Sequence, residues 1–204
     1  MGTSTPSGQE NTPAAIAPQM SRQGISLRWA ERLDTDDALR LIGLMNAVIE
    51  RDPIIGFSSP IERESGLELM ADVDHDIARG NSHLLLASSR DGSFVGMGLM
   101  RQSKLPHCRH LAELQIGFIH PRMRGGGLLE AMFSELVGRC RALEAELLMI
   151  DVQEGTSSER LWRLLGFRPY GRLEDYARVV THTHAGIYMY QYVSDLAKRL
   201  RLDA

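Results

Sequence analysis

The chain has 204 residues, 43% of them hydrophobic, which is enough for one well-buried core. Its formal net charge of -3 gives no basic field for nucleic acid or an anionic membrane surface, and no stretch approaches the roughly 18 consecutive apolar residues of a membrane-spanning helix. Because Cys108 and Cys140 are the only cysteines, we expect reduced thiols and a cytoplasmic protein.

The first two dozen residues differ in composition from the rest of the chain. Residues 1–24 are rich in Gly, Ser, Thr, Pro, Gln and Ala, and they lack the charged start and apolar centre of a secretory signal. We therefore predict a disordered tail over residues 1–24 and a single domain over residues 25–204.

The ordered part begins with a strand and two helices. Residues 25–30 alternate with a period near two, which predicts a strand. Asp34 or Thr35 is suited to cap the helix that follows. An irregular apolar link over residues 53–60 leads to a second helix over residues 62–78.

Three strands and a helix come next. Residues 84–87 and 94–100 form two predicted strands, joined at the turn signal Asp91-Gly92. A third strand over residues 112–119 precedes a run of glycines, and the apolar periodicity of residues 128–143 predicts a helix.

The remainder of the chain returns to strands. Residues 147–152 predict a buried strand, residues 156–165 a short helix, and residues 168–173 and 187–193 the last two strands before a short terminal helix. Strands that alternate with single helices predict an α/β (α+β) fold with a mixed sheet of about 6–7 strands, in the order β-α-α-β-β-β-α-β-α-β-β.

The glycine run is the most informative motif. Gly125, Gly126 and Gly127 follow a strand and open a helix, so their unobstructed N–H groups face whatever occupies the helix N-terminus, where the dipole favours an anion. With Arg122 and Arg124 alongside, the expected occupant is a phosphate or pyrophosphate. A merely flexible turn is the alternative, and the lack of a following Lys-Ser/Thr excludes a nucleotide-triphosphate P-loop.

This motif, Arg124-Gly125-Gly126-Gly127-Leu128, resembles the acyl-CoA pyrophosphate loop of the GCN5-related N-acetyltransferases (GNATs), except that Leu129 stands where that family has Gly or Ala. The order of elements also resembles the GNAT fold over residues 25–193. The resemblance implies acetyl-CoA as co-substrate and a homodimer.

Residues 112–192 resemble more closely the small-molecule branch typified by the tabtoxin-resistance acetyltransferase. The matching residues are Ala112-Glu113-Leu114-Gln115, His120-Pro121, Ile150-Asp151, Gly155, Glu159, Gly171-Arg172-Leu173, Tyr176 and Ile187-Tyr188.

The resemblance also implies where the cofactor lies. It places the pantetheine arm along Gly117, Phe118 and Ile119 and the pyrophosphate at the residues from Arg124 to Leu129. A glycine inside a strand marks a bulge or a close backbone approach, although Gly117 could instead relieve crowding under a helix.

Two carboxylates are candidates for the base that an amine substrate requires. An amine with a pKa near 10 is almost wholly protonated at neutral pH, and a carboxylate can take its proton directly or through water. Glu113 heads the strand before the glycine run, and Asp151 interrupts an apolar strand, where a charge is costly unless it is paired or faces a cavity. Both match acidic residues of the tabtoxin-resistance branch. The alternatives are a surface ion pair for Glu113 and a loop cap for Asp151.

The proton donor for the leaving thiolate is missing from its usual place. Many GNATs carry a tyrosine four residues before the Gly-Phe pair, where this chain has Trp162. Indole N–H is only a donor and does not exchange a proton as a phenol does. Trp162 is therefore expected to pack on the cofactor while the proton comes from elsewhere, or else catalysis is slow.

These features predict an acetyl-CoA-dependent N-acetyltransferase in which a primary amine of a small molecule attacks the thioester directly. The acceptor could be an amino acid, an antibiotic or toxin, or a polyamine. The alternative, motivated by Leu129 and Trp162, is a catalytically weakened acyl-CoA-binding sensor.

We expect no metal site. His107, Cys108 and His110, like His182 and His184, lack the spacing of structural zinc ligands and are interpreted as polar loop residues. Tyr188, Tyr190 and Tyr192 share one face of a strand, which predicts either core packing or a dimer seam.

Overall fold

Seven strands form one mixed sheet in the computed structural model, which describes residues 24–51, 57, 59–179 and 182–202. The strands are β1 (Ser26–Ala30), β2 (Ser82–Ser88), β3 (Phe94–Gln102), β4 (Leu111–Ile119), β5 (Leu147–Gln153), β6 (Arg168–Val179) and β7 (His182–Tyr192). The helices are α1 (Thr35–Ile49), α2 (Arg63–Ala78), α3 (Leu128–Ala142), α4 (Ser157–Leu164) and α5 (Val193–Arg199).

This architecture confirms the predicted fold class and order of elements. Asp34 caps α1, since its side chain accepts a hydrogen bond from the Asp37 N–H. None of the helices in the described ranges is long and apolar enough to cross a membrane. The predicted N-terminal tail and most of the 53–60 link lie outside the described residues.

The last two strands are longer than the sequence predicts. β6 runs on to Val179 and β7 starts at His182, so His182 and His184 lie within a strand and the prediction that they fall between strands was wrong. The hydrophobic pattern stops early because this end of the hairpin is polar, and backbone pairing such as Ala177 with His184 continues without it.

The sheet has the strand order β1-β2-β3-β4-β5-β7-β6. All its pairs are antiparallel except β4 with β5, which run parallel and pair only from Leu111–Leu147 to Glu113–Met149. Beyond that point β4 continues to Ile119 and β5 to Gln153 without pairing to each other. The two halves of the sheet therefore diverge and leave a gap between these strands.

Helices cover both faces of the sheet. On one face α1 and α2 enclose the first core, which includes Leu41, Met45, Leu84, Leu86 and Met97. On the other face α3 and α5 enclose the second core, which includes Val137, Cys140, Leu148, Met189 and Leu196.

Gly96 brings α3 close to the sheet. A Cβ at Gly96 would lie 2.9 Å from Met132 Sδ and 3.4 Å from the Phe118 carbonyl oxygen. The small residue thus fixes how near the start of α3, and the glycine run that precedes it, lies to β3 and β4.

Candidate active site

The gap between β4 and β5 is the centre of the candidate site. Since the ladder ends at Glu113 and Met149, the edge of β4 that faces β5 carries backbone N–H and C=O groups that no strand satisfies beyond this point. The glycine run follows β4 at the open end, and the start of α4 follows β5 there. An extended ligand that enters the gap would contact both the glycine run and the start of α4.

The glycine run forms a tight turn into α3. Gly125 and Gly127 have φ values of 79° and 81°, the left-handed region in which a side chain is strained. Gly127 is the N-cap of α3 and no side-chain hydrogen bond caps that helix. The first-turn N–H groups of α3 are therefore open to an anionic ligand. Arg122 and Arg124 beside them are exposed.

Leu128 and Leu129 anchor the start of this helix. Leu128 is 1% exposed, and Leu129 is half-buried and packs against the second core. Both side chains serve packing, so it is the backbone of these residues that an anion at the helix N-terminus would contact. The departure of Leu129 from the GNAT pattern is thus explained by core packing.

The backbone of β4 is irregular two residues before Gly117. Leu99 pairs with Ile116 and Met100 with Leu114, which leaves Gln115 as an extra residue on β4, a β-bulge. The bulge is therefore at Gln115 and not at Gly117, and a close backbone approach of a ligand at Gly117 stays a prediction. A Cβ at Gly117 would meet nothing within 4 Å, which also excludes relief of crowding as the reason for this glycine.

Beyond the bulge, the side chains of β4 alternate between the α3 face of the sheet and the face that α1 and α2 cover. Gly117 pairs with Gly98, and a Cβ at Gly98 would lie 3.8 Å from Met132 Cε of α3, so both glycines are on the α3 face. Ile119 packs with the same α3 residues, whereas Phe118 is buried in the first core. Only the backbone of Phe118 is therefore placed to contact a ligand in the gap.

Glu113 and Asp151 lie together on the opposite face, the one that α1 and α2 cover further along the sheet. Glu113 pairs with Met149, two residues before Asp151, which puts the two Cα atoms about 8 Å apart by strand geometry. Both residues are half-buried. Within the described ranges Glu113 makes no ion pair, not even with Arg101, its neighbour on β3.

Asp151 has a hydrogen-bond partner that the sequence did not single out as a site residue. Its Oδ2 accepts a hydrogen bond from the Tyr176 hydroxyl. Burial, and then the hydrogen bond to Asp151, raise the pKa of Tyr176, so this phenol stays protonated at neutral pH. Asp151 is accordingly not a loop cap; the cap of α4 is Thr156.

All five tyrosines of the chain lie on β6 and β7. Tyr188 pairs with Asp151, and Tyr170 lies between Tyr188 and Tyr190, with ring centroids 6.2 and 6.1 Å away. Burial, and next the negative charge of Glu113, raise the pKa of Tyr170. Tyr170, Tyr176 and Tyr188 are thus the tyrosines near the two carboxylates. The sequence predicts that Tyr188, Tyr190 and Tyr192 share one face of a strand, but it does not predict that this face lies beside Asp151.

Trp162 belongs to the second core. Its indole is half-buried and makes edge-on contacts with Phe133 at 5.7 Å and Phe167 at 5.0 Å between centroids. These contacts join α4, α3 and the start of β6. Packing of Trp162 on a cofactor stays a prediction.

Solved structures with this architecture are numerous, although no protein-family model and no curated sequence matches the chain. The protein yncA of Salmonella typhimurium, assigned as an acetyltransferase and solved with its cofactor acetyl-CoA, superposes with a TM-score of 0.64 at 16% identity over 83% of this chain and 94% of that one. A point mutant of spermidine N-acetyltransferase SpeG of Vibrio cholerae superposes with a TM-score of 0.64 at 17% identity over 86% of this chain and 98% of that one. A protein assigned as a phosphinothricin N-acetyltransferase superposes with a TM-score of 0.67 at 17% identity over 83% of this chain and 98% of that one.

The chain has the GNAT acetyltransferase fold. At these identities the similarity is one of architecture. The assignment of residues to roles therefore rests on the geometry of this chain.

In this GNAT fold, Glu159 holds the turn that follows β5. Its Oε2 accepts a 2.7 Å hydrogen bond from the Gly155 N–H, and its Oε1 accepts one of 2.8 Å from Arg163 Nε. The carboxylate is buried, with 8% of the residue exposed. The Gly155 N–H and then Arg163 hold the pKa of Glu159 below its usual range. This residue is thus a support of the turn beside Asp151.

We expect Glu159→Gln to lower the free energy of unfolding by about 1–2 kcal/mol at pH 7, because a charge-assisted pair becomes a neutral contact. Since the folded-state pKa is depressed, the stabilisation is full above the unfolded-state pKa, about 4.3, and is lost as pH falls through the folded-state value. Urea unfolding of wild type and variant between pH 7 and pH 3 measures this, with the exposed Glu146→Gln as control. A difference in stability independent of pH would contradict the assignment.

Neither cysteine is placed as a nucleophile. Burial raises the pKa of the Cys140 thiol to about 11, and a thiol nucleophile must ionise. Cys108 lies in a 3-10 turn before β4, at the opposite end of that strand from the glycine run, about 30 Å away by strand length.

The histidines contribute no metal cluster. No group of three or more His, Cys, Asp or Glu side chains within the described ranges could hold a metal ion. His184 instead contacts Gln153 across β5 and β7, with 2.8 Å between its Nδ1 and the amide nitrogen Nε2.

A cavity of about 560 Å³ lies elsewhere, where the end of α2 approaches β1 and β2. Trp29, His83 and Arg139 are among its lining residues. It contains no residue of the predicted site, and Arg139 is near the end of α3 that is farthest from the glycine run. This cavity is therefore separate from the candidate site between β4 and β5.

Proposed function

We propose that this protein is an acetyl-CoA-dependent N-acetyltransferase that modifies a primary amine of a small molecule, as in the tabtoxin-resistance branch. One observation carries the proposal: the sheet opens between β4 and β5 with an uncapped helix N-terminus on one face and two carboxylates on the other. A ligand in the gap would therefore meet an anion site and a proton acceptor from opposite sides of the sheet.

The residues of the α3 face suit the cofactor. The N–H groups at Gly125 to Leu129 would bind the pyrophosphate at the helix N-terminus, and Arg124 would add a charge to this anion site. The free edge of β4 at Gly117 to Ile119 can pair with an extended pantetheine arm. When bound, acetyl-CoA would supply the activated acetyl group, as the complex of yncA with acetyl-CoA supports.

The opposite face suits an amine. Glu113 and Asp151 attract an ammonium group, and the rings of Tyr170, Tyr176 and Tyr188 near them offer faces for a cation. The ammonium first loses a proton to a carboxylate, which frees the nitrogen lone pair. As this lone pair forms the new C–N bond, the C–S bond breaks and its electron pair leaves on sulfur. The second nitrogen proton passes to solvent, and the thiolate takes a proton from solvent.

The likeness to proteins named for spermidine and phosphinothricin supports a small acceptor. Amino acids, antibiotics or toxins, and polyamines are the classes to test. We extend the proposal to a cytoplasmic homodimer, for which the two free cysteines and the GNAT resemblance are the support.

An acyl-CoA sensor is the second candidate. Trp162, packed in the second core where many GNATs have a tyrosine, favours it because indole does not supply a proton. Such a module would bind acetyl-CoA in the same gap without turnover.

Thiol release from acetyl-CoA across a panel of amino acids, amine antibiotics and polyamines distinguishes the two candidates, with calorimetric titration of acetyl-CoA run in parallel. We expect saturable binding and turnover with at least one amine. Binding without turnover on any amine would favour the sensor, and absence of binding would contradict both candidates.

A further inference from the structure

We infer that Tyr176 is a positioning residue for Asp151 and that residue 186 is a glycine because the Tyr176 ring lies across it. The inference rests on the proposed function, since it assigns Asp151 as the carboxylate that takes the amine proton. It distinguishes Asp151 from Glu113, which have equal claims from the sequence.

Tyr176 reaches Asp151 across an intervening strand. The strand order β5-β7-β6 places β7 between the two residues, yet the Tyr176 hydroxyl donates to Asp151 Oδ2. The ring therefore passes over the backbone of β7 rather than lying beside a neighbouring strand. A side chain that only filled the sheet face would not need this path.

Gly186 is the point at which the ring crosses. A Cβ at Gly186 would overlap the Tyr176 ring atoms Cγ, Cδ2 and Cδ1, closer than real Cβ atoms approach their neighbours. Even alanine at this position would displace the ring. Tyr188 closes the other side, edge-on to Tyr176 with 6.3 Å between centroids and 89° between planes.

An irregularity in β6 gives Tyr176 the freedom to leave the ladder. Leu173 pairs with Gly186 and Ala177 with His184, so β6 advances four residues where β7 advances two. The two additional residues form a bulge that contains Tyr176, and bulges redirect side chains in this way. Ion pairs anchor the segment on both sides, Arg172 with Glu154 before the bulge and Arg178 with Asp175 at its end.

The hydrogen bond leaves one oxygen of the carboxylate for the substrate. With Oδ2 occupied by the phenol, Asp151 Oδ1 accepts no hydrogen bond within the described residues. A donor on one oxygen holds the carboxylate in one orientation and so fixes where the other oxygen lies. Positioning of a base within a fraction of an ångström is worth about 10- to 100-fold in rate.

The test compares Tyr176→Phe with Tyr190→Phe, which removes a hydroxyl from the same face without contact to Asp151. With the best amine of the panel, we expect Tyr176→Phe to lower kcat about tenfold or more, to leave the KM for acetyl-CoA unchanged and to lower the melting temperature by only a few degrees. Tyr190→Phe should keep the wild-type kcat. Gly186→Ala should reproduce the loss, and Tyr176→Phe should cost nothing further in an Asp151→Asn background.

A purely structural role predicts a different set of results. The effect of Tyr176→Phe on kcat would then add to that of Asp151→Asn. A wild-type kcat in Tyr176→Phe would overturn the inference alone, and this variant decides the matter even where Gly186→Ala does not fold. A wild-type protein that acetylates no amine would overturn the proposed function, and the inference with it.

Discussion

Replacing Gly127 with Asp is expected to raise the Kd for acetyl-CoA at least about 100-fold. Gly127 is the N-cap of α3, so its new carboxylate would compete with the cofactor pyrophosphate for the N–H groups of the helix and would repel it. Loss of charge-assisted hydrogen bonds together with like-charge repulsion costs about 3 kcal/mol or more, which corresponds to this change in affinity. Isothermal titration calorimetry measures it.

Two matched variants separate the charge from its side effects. Residue 127 has a φ of 81°, which strains any side chain but strains Asn and Asp alike, so Gly127→Asn controls for backbone strain. Gly138→Asp adds the same charge to the same helix at an exposed position with open space around it. Wild-type affinity in Gly127→Asp, or equal losses in the Asn and Asp variants, would contradict the assignment of the pyrophosphate seat.

The order of elements could be predicted because each helix, strand and turn has a signal in its own short stretch of sequence. Period-two alternation gives β1, and Asp91-Gly92 marks the turn between β2 and β3. The glycine run marks the start of α3 because a left-handed N-cap without a side chain has a strong local sequence signal. Each of these features depends on a few neighbouring residues.

The parts that could not be predicted depend on contacts between distant residues. Tyr176 and Asp151 are 25 residues apart in sequence, and their meeting requires both the β5-β7-β6 order and a bulge in a polar segment. Likewise the bulge at Gln115 has no signature of its own, since it appears only when β4 is aligned with β3. In the sequence Gly186 is one of 19 glycines, and only the structure shows that the Tyr176 ring crosses it.

The same limitation applies to the two departures from the GNAT pattern. Leu129 and Trp162 stand in the sequence as missing functional groups, whereas in the structure both side chains pack in the second core. A motif comparison cannot distinguish a lost catalytic group from a gained packing residue, because the distinction lies in what surrounds the side chain.

The second large effect is expected at Asp151, the carboxylate that we propose as the base in place of Glu113. We expect Asp151→Asn to lower kcat by about 100-fold or more, the usual contribution of a general base, with acetyl-CoA affinity unchanged. Asp151 lies beyond the last β4–β5 pair, where the strands have diverged, and Tyr176 orients it. Asn keeps the size of the side chain and can still accept from the phenol, so the substitution removes the proton acceptor and little else.

Glu113→Gln should behave differently. Glu113 is at the last paired position of β4, and its charge acts on Tyr170, so we assign it to attraction of the ammonium group. Its loss should raise the KM for the amine and leave kcat within a few-fold. Steady-state kinetics on both variants with one amine measures the difference. A large kcat loss in Glu113→Gln with little in Asp151→Asn would exchange the two roles, and because Tyr176 contacts only Asp151 of this pair, it would also leave the ring over Gly186 without a catalytic purpose.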